Sequence, residues 1–341
     1  MALPRVVGLL LLAAACSDGA TTTTPPAPPP STIATVTAPP TVPATTTTAA
    51  PAAAAWRGLA AAPTARQEVA SAVADGRVWV IGGLNAAGAS AVVENYDPAG
   101  DRWAPGPPLP VALHHASAAT YRGEIVVMGG FLAAPSLYDR PSARVLALRA
   151  GAWVDLPPLG RPRGAGAAAA VGDVLVLAGG RNGAALLGPT EIFDGSGWRD
   201  AEAIPTRRDH LSAASDGRSL FTVGGRFLSS GALSAALERF DPASGAWERL
   251  PAMPTARGGQ GAAMSGANRL VVVGGEDPTG VYAEVEAYDV VSQRWAPLPP
   301  LPSPRHGLAV ERVGERLLAL VGGTAFGVAP SAVAEALLAV S

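Results

Sequence analysis

One event recurs six times along this chain: a short apolar run that stops at two adjacent glycines. "VWVIGG" ends at Gly83, "VVMGG" at Gly130, "LVLAGG" at Gly180, "LFTVGG" at Gly225, "LVVVGG" at Gly275 and "LALVGG" at Gly323. The intervals are 47, 50, 45, 50 and 48 residues. A Val/Ile-rich run bounded by glycine reads as a buried strand. A period in this range marks stacked, self-similar units rather than one aperiodic core. Length alone would allow two ordinary domains; the repeat assigns most of the 341 residues to one array.

A second landmark runs beside the glycines. Trp56, Trp103, Trp153, Trp198, Trp247 and Trp295 recur at nearly the same period. Between glycine pair and tryptophan lies an acid-x-aromatic step: Glu94-Asn95-Tyr96, Glu191-Ile192-Phe193, Glu238-Arg239-Phe240 and Glu286-Ala287-Tyr288. Repeat two departs with Arg144-Val145-Leu146, and repeat six with Glu335-Ala336-Leu337. Each unit reads as four short strands. Strand a follows a proline-rich stretch, and a tight turn such as Asp75-Gly76 or Asp216-Gly217 closes a hairpin. Strand b is the run ending in Gly-Gly, strand c carries the aromatic, and strand d carries the Trp.

This pattern resembles the kelch motif, and the resemblance covers residues 56–341. It implies an all-β fold, a six-bladed kelch β-propeller in which each unit is one blade around a central channel. The glycine pair is then expected where backbones approach too closely for a side chain. The Trp and Tyr/Phe are expected to fill the wider outer part of each blade, and Trp79 to pack between blades. The array begins at Trp56, a strand d without a, b or c, and ends in "AEALLAV", a strand c without d. The first strand should therefore complete the last blade and close the ring, which hides the sheet edges.

The N-terminus is different material. Arg5 precedes an apolar run from Val6 to Ala15, too short to span a bilayer but right for a signal peptide over 1–15. Ala13-Ala14-Ala15-Cys16 resembles a bacterial lipobox, although Leu stands at the fourth rather than the third position before Cys. Ordinary signal cleavage before Cys16 is the alternative. Cys16 is the single cysteine, so it is read as lipidated, and no intrachain disulfide can form. Residues 16–55 are almost wholly Thr, Pro and Ala, which cannot bury a core and read as a disordered linker. The expectation is an exported lipoprotein on the cell envelope, with its domain held off the membrane.

Net charge of −2 and export argue against nucleic acid as a partner. Function is expected on the face shared by the d–a and b–c loops, because the a–b turns are short. Ten residues after each Trp stand Arg66, Leu113, Arg163, Arg208, Arg257 and Arg305. Five arginines at one offset, gathered around the channel mouth, would favour a carboxylate or other anion. In related kelch domains that bind acidic peptides, arginines at this step line the pocket. The other reading is that they bond carbonyls of the neighbouring blade and lock the ring. Arg181 and Arg226 begin two b–c loops and would add charge; Glu276 and Asp277 would subtract it.

The four histidines join the same ring: His114 and His115 in blade two, His210 in blade four and His306 in blade six. Their offsets are mixed, and alternate strand residues face opposite ways, so no metal site is read from them and they are expected to be polar lining. No phosphate-binding loop appears. A copper radical oxidase of the galactose oxidase type needs a Tyr–Cys crosslink, and the domain has no Cys. A sialic-acid mutarotase of the six-bladed kelch type needs an arginine and an acid/base, for which Asp209 and His210 beside Arg208, or Glu68 beside Arg66, are candidates. The sequence therefore points to a monomeric, cofactor-free binding module for a protein or acidic glycan. Its expected contacts are Arg66, Arg163, Arg208, Arg257, Arg305, His115, His210 and His306, with the mutarotase-type enzyme as the alternative.

Overall fold

The computed structural model describes residues 54–228 and 232–338. The signal peptide, Cys16 and all but the last two residues of the linker lie outside them. Six four-stranded antiparallel sheets form the blades of one propeller. In blade 1 the strands are Ala70–Ala74 (a), Arg77–Ile81 (b), Val93–Asp97 (c) and Arg102–Pro105 (d). Blade 6 is built from both ends of the chain: Ala55–Gly58 pairs with Pro330–Leu338, setting Trp56 opposite Leu337. The closure expected from the broken repeats is the one observed.

Why these residues make blades follows from what each strand touches. The channel wall is made by the a strands, whose Ala, Ser and Gly residues leave a cavity of about 430 Å³. Strands b and c are buried on both faces and carry Val, Leu, Ile and aromatics. Their side chains fill six apolar wedges, one between each pair of neighbouring blades. Trp79 packs against the wedge between blades 1 and 2. Further out, the strand-c aromatic tilts against the strand-d Trp, with ring centroids 5.0–5.2 Å apart in blades 1, 3, 4 and 5. Each of the six Trp indoles also donates to a carbonyl of the preceding blade, always the residue four beyond that blade's own Trp. The Trp is thus both outer core and blade-to-blade stitch.

The glycine pair stitches the inner side. In blade 1 Gly82 is left-handed (φ +61°), and the Gly83 N–H donates to Leu113 O of the next blade at 2.8 Å. The same bond recurs from Gly130 to Arg163 O, Gly180 to Arg208 O, Gly225 to Arg257 O and Gly275 to Arg305 O. In blade 6 it is Gly322, not Gly323, that donates to Arg66 O. A register shift between Leu320 and Gly322 sets Val321 in the left-handed place, at φ +53°. Aligning the sixth repeat on its last glycine is therefore wrong by one residue. Gly323 instead opens the b–c loop opposite His306.

Candidate functional site

The channel mouth on the b–c loop face is organised by one position per blade, twelve residues after each Trp. Glu68, His115, Ala165, His210, Gly259 and Gly307 all take left-handed backbone, with φ between 51° and 66°. Their main chains form a belt. His115 N donates to Glu68 O, Ala165 N to His115 O, His210 N to Ala165 O, Gly259 N to His210 O and Gly307 N to Gly259 O, at 2.7–2.9 Å. Val69 N reaches Gly307 O at 3.4 Å and closes the circle. A left-handed residue interrupts strand alternation, so side chains at offsets 11 and 12 both reach the mouth. That is why the mixed offsets of His115, His210 and His306 did not scatter them.

The five arginines are elsewhere. Arg66, Arg163, Arg208, Arg257 and Arg305 are at most 1% exposed and lie inside the blades rather than lining the mouth. Each pairs with the strand-c glutamate of its own blade: Glu94, Glu191, Glu238, Glu286 and Glu335, at 2.5–3.1 Å. Most of their remaining bonds go to carbonyls of that same blade, as Arg208 Nε to Gly224 O at 2.6 Å and Arg305 Nε to Val321 O at 2.7 Å. The glutamate's second oxygen takes a hydroxyl two residues before the arginine in four blades: Thr64, Thr206, Thr255 and Ser303. The expected arginine-lined mouth is corrected. The guanidiniums are enclosed within their own blades, and their side chains bond neither the mouth nor the neighbouring blade.

What the mouth does hold is a buried, mixed-charge cluster. Asp209, fully buried, accepts from His210 Nδ1 at 2.8 Å and faces Arg181 and Arg226 at 3.4 and 3.5 Å. Arg226 bonds His210 Nε2 at 2.7 Å, Glu276 Oε1 at 2.9 Å and the Tyr138 hydroxyl at 2.9 Å. Tyr138 comes from the long b–c loop of blade 2. Its ring lies edge-on to His115 and His210, and Arg181 stacks over it at 4.3 Å. Glu68 faces His115 Nε2 with one oxygen (3.3 Å) and His306 Nε2 with the other (3.4 Å). Burial, and next the charge of Glu276, push the Glu68 carboxyl up to about 8. Burial drives His115 and His210 well down and His306 to about 4, so the imidazoles are neutral at ordinary pH.

Sequence reading missed Tyr138 and Gln67. The signal for Gln67 was positional: it precedes the belt residue, and its amide bonds His306 Nε2 at 3.1 Å. Tyr138 carried only the extra length of its loop as a sign.

Deeper in the channel, Glu311 of strand a in blade 6 accepts from Ser71 Oγ at 2.8 Å, and burial pushes its carboxyl up to about 7. Its folded value lies above the unfolded 4.5, so the native state holds this proton more tightly. The stability it contributes is complete below about pH 4.5 and is lost as pH rises through 7. Glu311→Gln should therefore raise stability at pH 8 by about 1–2 kcal/mol, a discounted figure because the residue is partly exposed to channel water. Urea midpoints at pH 4 and pH 8 check this; an equal effect at both would show that ionisation is not involved.

The fold and mouth define a six-bladed propeller with a sealed, polar axial site. Comparison with known proteins finds kelch repeats. A family model described as "Kelch motif" matches residues 65–110 and 258–302. Kelch-like protein terF of Aspergillus terreus is 28% identical over 249 residues, 64% of this chain and 53% of that protein. Human Kelch-like protein 34 is 30% identical over 203 residues, 59% of this chain and 24% of that protein. The aligned region thus spans about half or less of these curated relatives. The solved structure of YjhT superposes with a TM-score of 0.67 at 16% identity, covering 81% of this chain and 96% of that one, which is a likeness of fold. The chain thus carries kelch motifs within a six-bladed propeller.

Proposed function

We propose that this protein is a binding module whose b–c loop face recognises a protein partner, carried on the cell envelope by a lipid on Cys16. One observation supports it most. Among the described residues, six large apolar side chains are exposed, and four of them, Leu137, Leu228, Phe326 and Val328, sit on b–c loops of blades 2, 4 and 6. Scattered exposed apolars need no explanation, but their concentration on the loops of one face marks an interaction site. These residues surround a buried polar centre, the arrangement of apolar anchors and charged groups that protein interfaces use. An acidic group of the partner would meet Arg181 and Arg226, each with a side chain 13% exposed, rather than the five enclosed arginines.

The test is chemical cross-linking of the full chain on intact cells, followed by identification of what is captured. Leu137→Asp with Phe326→Asp should abolish capture of a specific protein. Val291→Asp, in the c–d turn of blade 5 on the opposite face, should leave it intact. Capture that survives the first pair and fails with the second would move the site to the other face. Saturable binding of an acidic glycan alone, or accelerated equilibration of a sugar's anomers, would replace a protein partner with a glycan or with the mutarotase-type reaction.

A further inference from the structure

Three groups from three blades meet at the mouth without satisfying one another. His306 Nε2 lies 3.4 Å from Glu68 Oε1 and 3.3 Å from Glu276 Oε2, and the three side chains are 1%, 10% and 5% exposed. Glu276 Oε2 is buried and has no hydrogen-bond partner, although Arg226 holds the other oxygen at 2.9 Å. A buried carboxylate oxygen normally takes a donor or a cation, because leaving it bare costs its desolvation. Donor atoms bound to one ion at 2.0–2.2 Å with tetrahedral angles lie about 3.3–3.5 Å apart. The observed separations from His306 are those of such a set. One imidazole and two carboxyl groups suit a divalent transition metal.

We propose that Glu68, Glu276 and His306 bind one divalent transition-metal ion at the channel mouth, zinc fitting the ligand set. Arg226 serves as the outer support that orients Glu276, as partners of metal ligands do. Gln67 gives up its bond to His306 Nε2 when the ion binds. It keeps Gly327 O and Ala329 N, both at 2.7 Å, which hold its amide in place. A second cluster, Glu68 with His115 and His210, is equally compact. It is less suited, because both nitrogens of His210 are already taken by Asp209 and Arg226. Three protein ligands leave a tetrahedral ion one position for water. The site stands independently of whether the b–c face binds a partner.

The experiment is calorimetric titration of the chelator-stripped full chain with zinc chloride, in the absence of any other ligand. One zinc per chain is expected, with affinity falling on the order of 100-fold or more in Glu276→Gln and in His306→Ala. His114→Ala, at an imidazole that touches none of the three ligands, should bind as the parent does. Absence of saturable binding, or loss in His115→Ala with retention in His306→Ala, would overturn the assignment. Should either ligand variant misfold, anomalous scattering from zinc-soaked parent crystals decides instead. Zinc density contacting Glu68, Glu276 and His306 together supports the site, and density elsewhere removes it.

Discussion

Arg208→Ala should lower the melting temperature of the propeller by about 10 °C, because it leaves Glu238 buried without its cation. Removing one partner of an enclosed ion pair costs roughly 3–5 kcal/mol, most of it the desolvated charge left behind. In a domain of this size each kcal/mol moves the midpoint by about 2–4 °C. Arg208 also donates to Gly224 O, Thr206 O and the Thr222 hydroxyl, so several acceptors lose their donor at once. The pair Arg208→Leu with Glu238→Met should lose less than Arg208→Leu alone, since no charge is then stranded. Circular dichroism melts of the three variants measure this. A midpoint within about 2 °C of the parent for Arg208→Ala would mean the enclosed pair is not what holds the blade.

The protein contains its own precedent for that pair. Blade 2 has Leu113 where the others have arginine, Leu146 at the register position of the strand-c glutamate, and Val111 in place of the upstream hydroxyl. Leu113 and Leu146 pack instead into the apolar wedge between blades 1 and 2. Three positions thus change together in one repeat out of six. This was readable in the sequence: five arginines accompany five glutamates, and the second repeat lacks both. Counting arginines at one offset, without counting their acids, suggested a ring of free positive charge that the fold does not have. The fold itself was legible because a repeat states its architecture six times. Glycine pair, aromatic, tryptophan and incomplete ends each have one steric place in a blade.

The mouth was legible only in part, for a physical reason. Its residues lie at unrelated sequence distances, from Glu68 to His306, and converge because six left-handed residues turn inward at the belt. Left-handed backbone has no reliable side-chain signature where Glu, His and Ala adopt it, since only glycine does so without steric cost. Strand alternation, the rule available from sequence, fails at that residue. Applied to the mixed offsets of the histidines, it argued against their meeting at one point.

The glycine pair yields the second large effect. Gly82→Ala should destabilise the protein by about 3–4 kcal/mol, a fall in midpoint of about 8 °C. Two costs combine. The left-handed backbone at φ +61° strains any residue with a Cβ, by about 1–2 kcal/mol. The new methyl would also stand 2.5 Å from Leu113 O, the acceptor that joins blade 1 to blade 2 through Gly83 N–H. Backbone cannot swing aside as a flexible side chain does, so blade 2 must retreat and open the apolar wedge between them. Gly76→Ala separates the two terms, because Gly76 has φ +71° in the a–b turn of the same blade with nothing within 4 Å of the added carbon. It should cost only the strain, about 1–2 kcal/mol. Chemical denaturation of both variants gives the difference directly. If Gly82→Ala were no worse than Gly76→Ala, the glycines would be needed for their dihedral angles alone, and the close approach of neighbouring blades would not be what selects them.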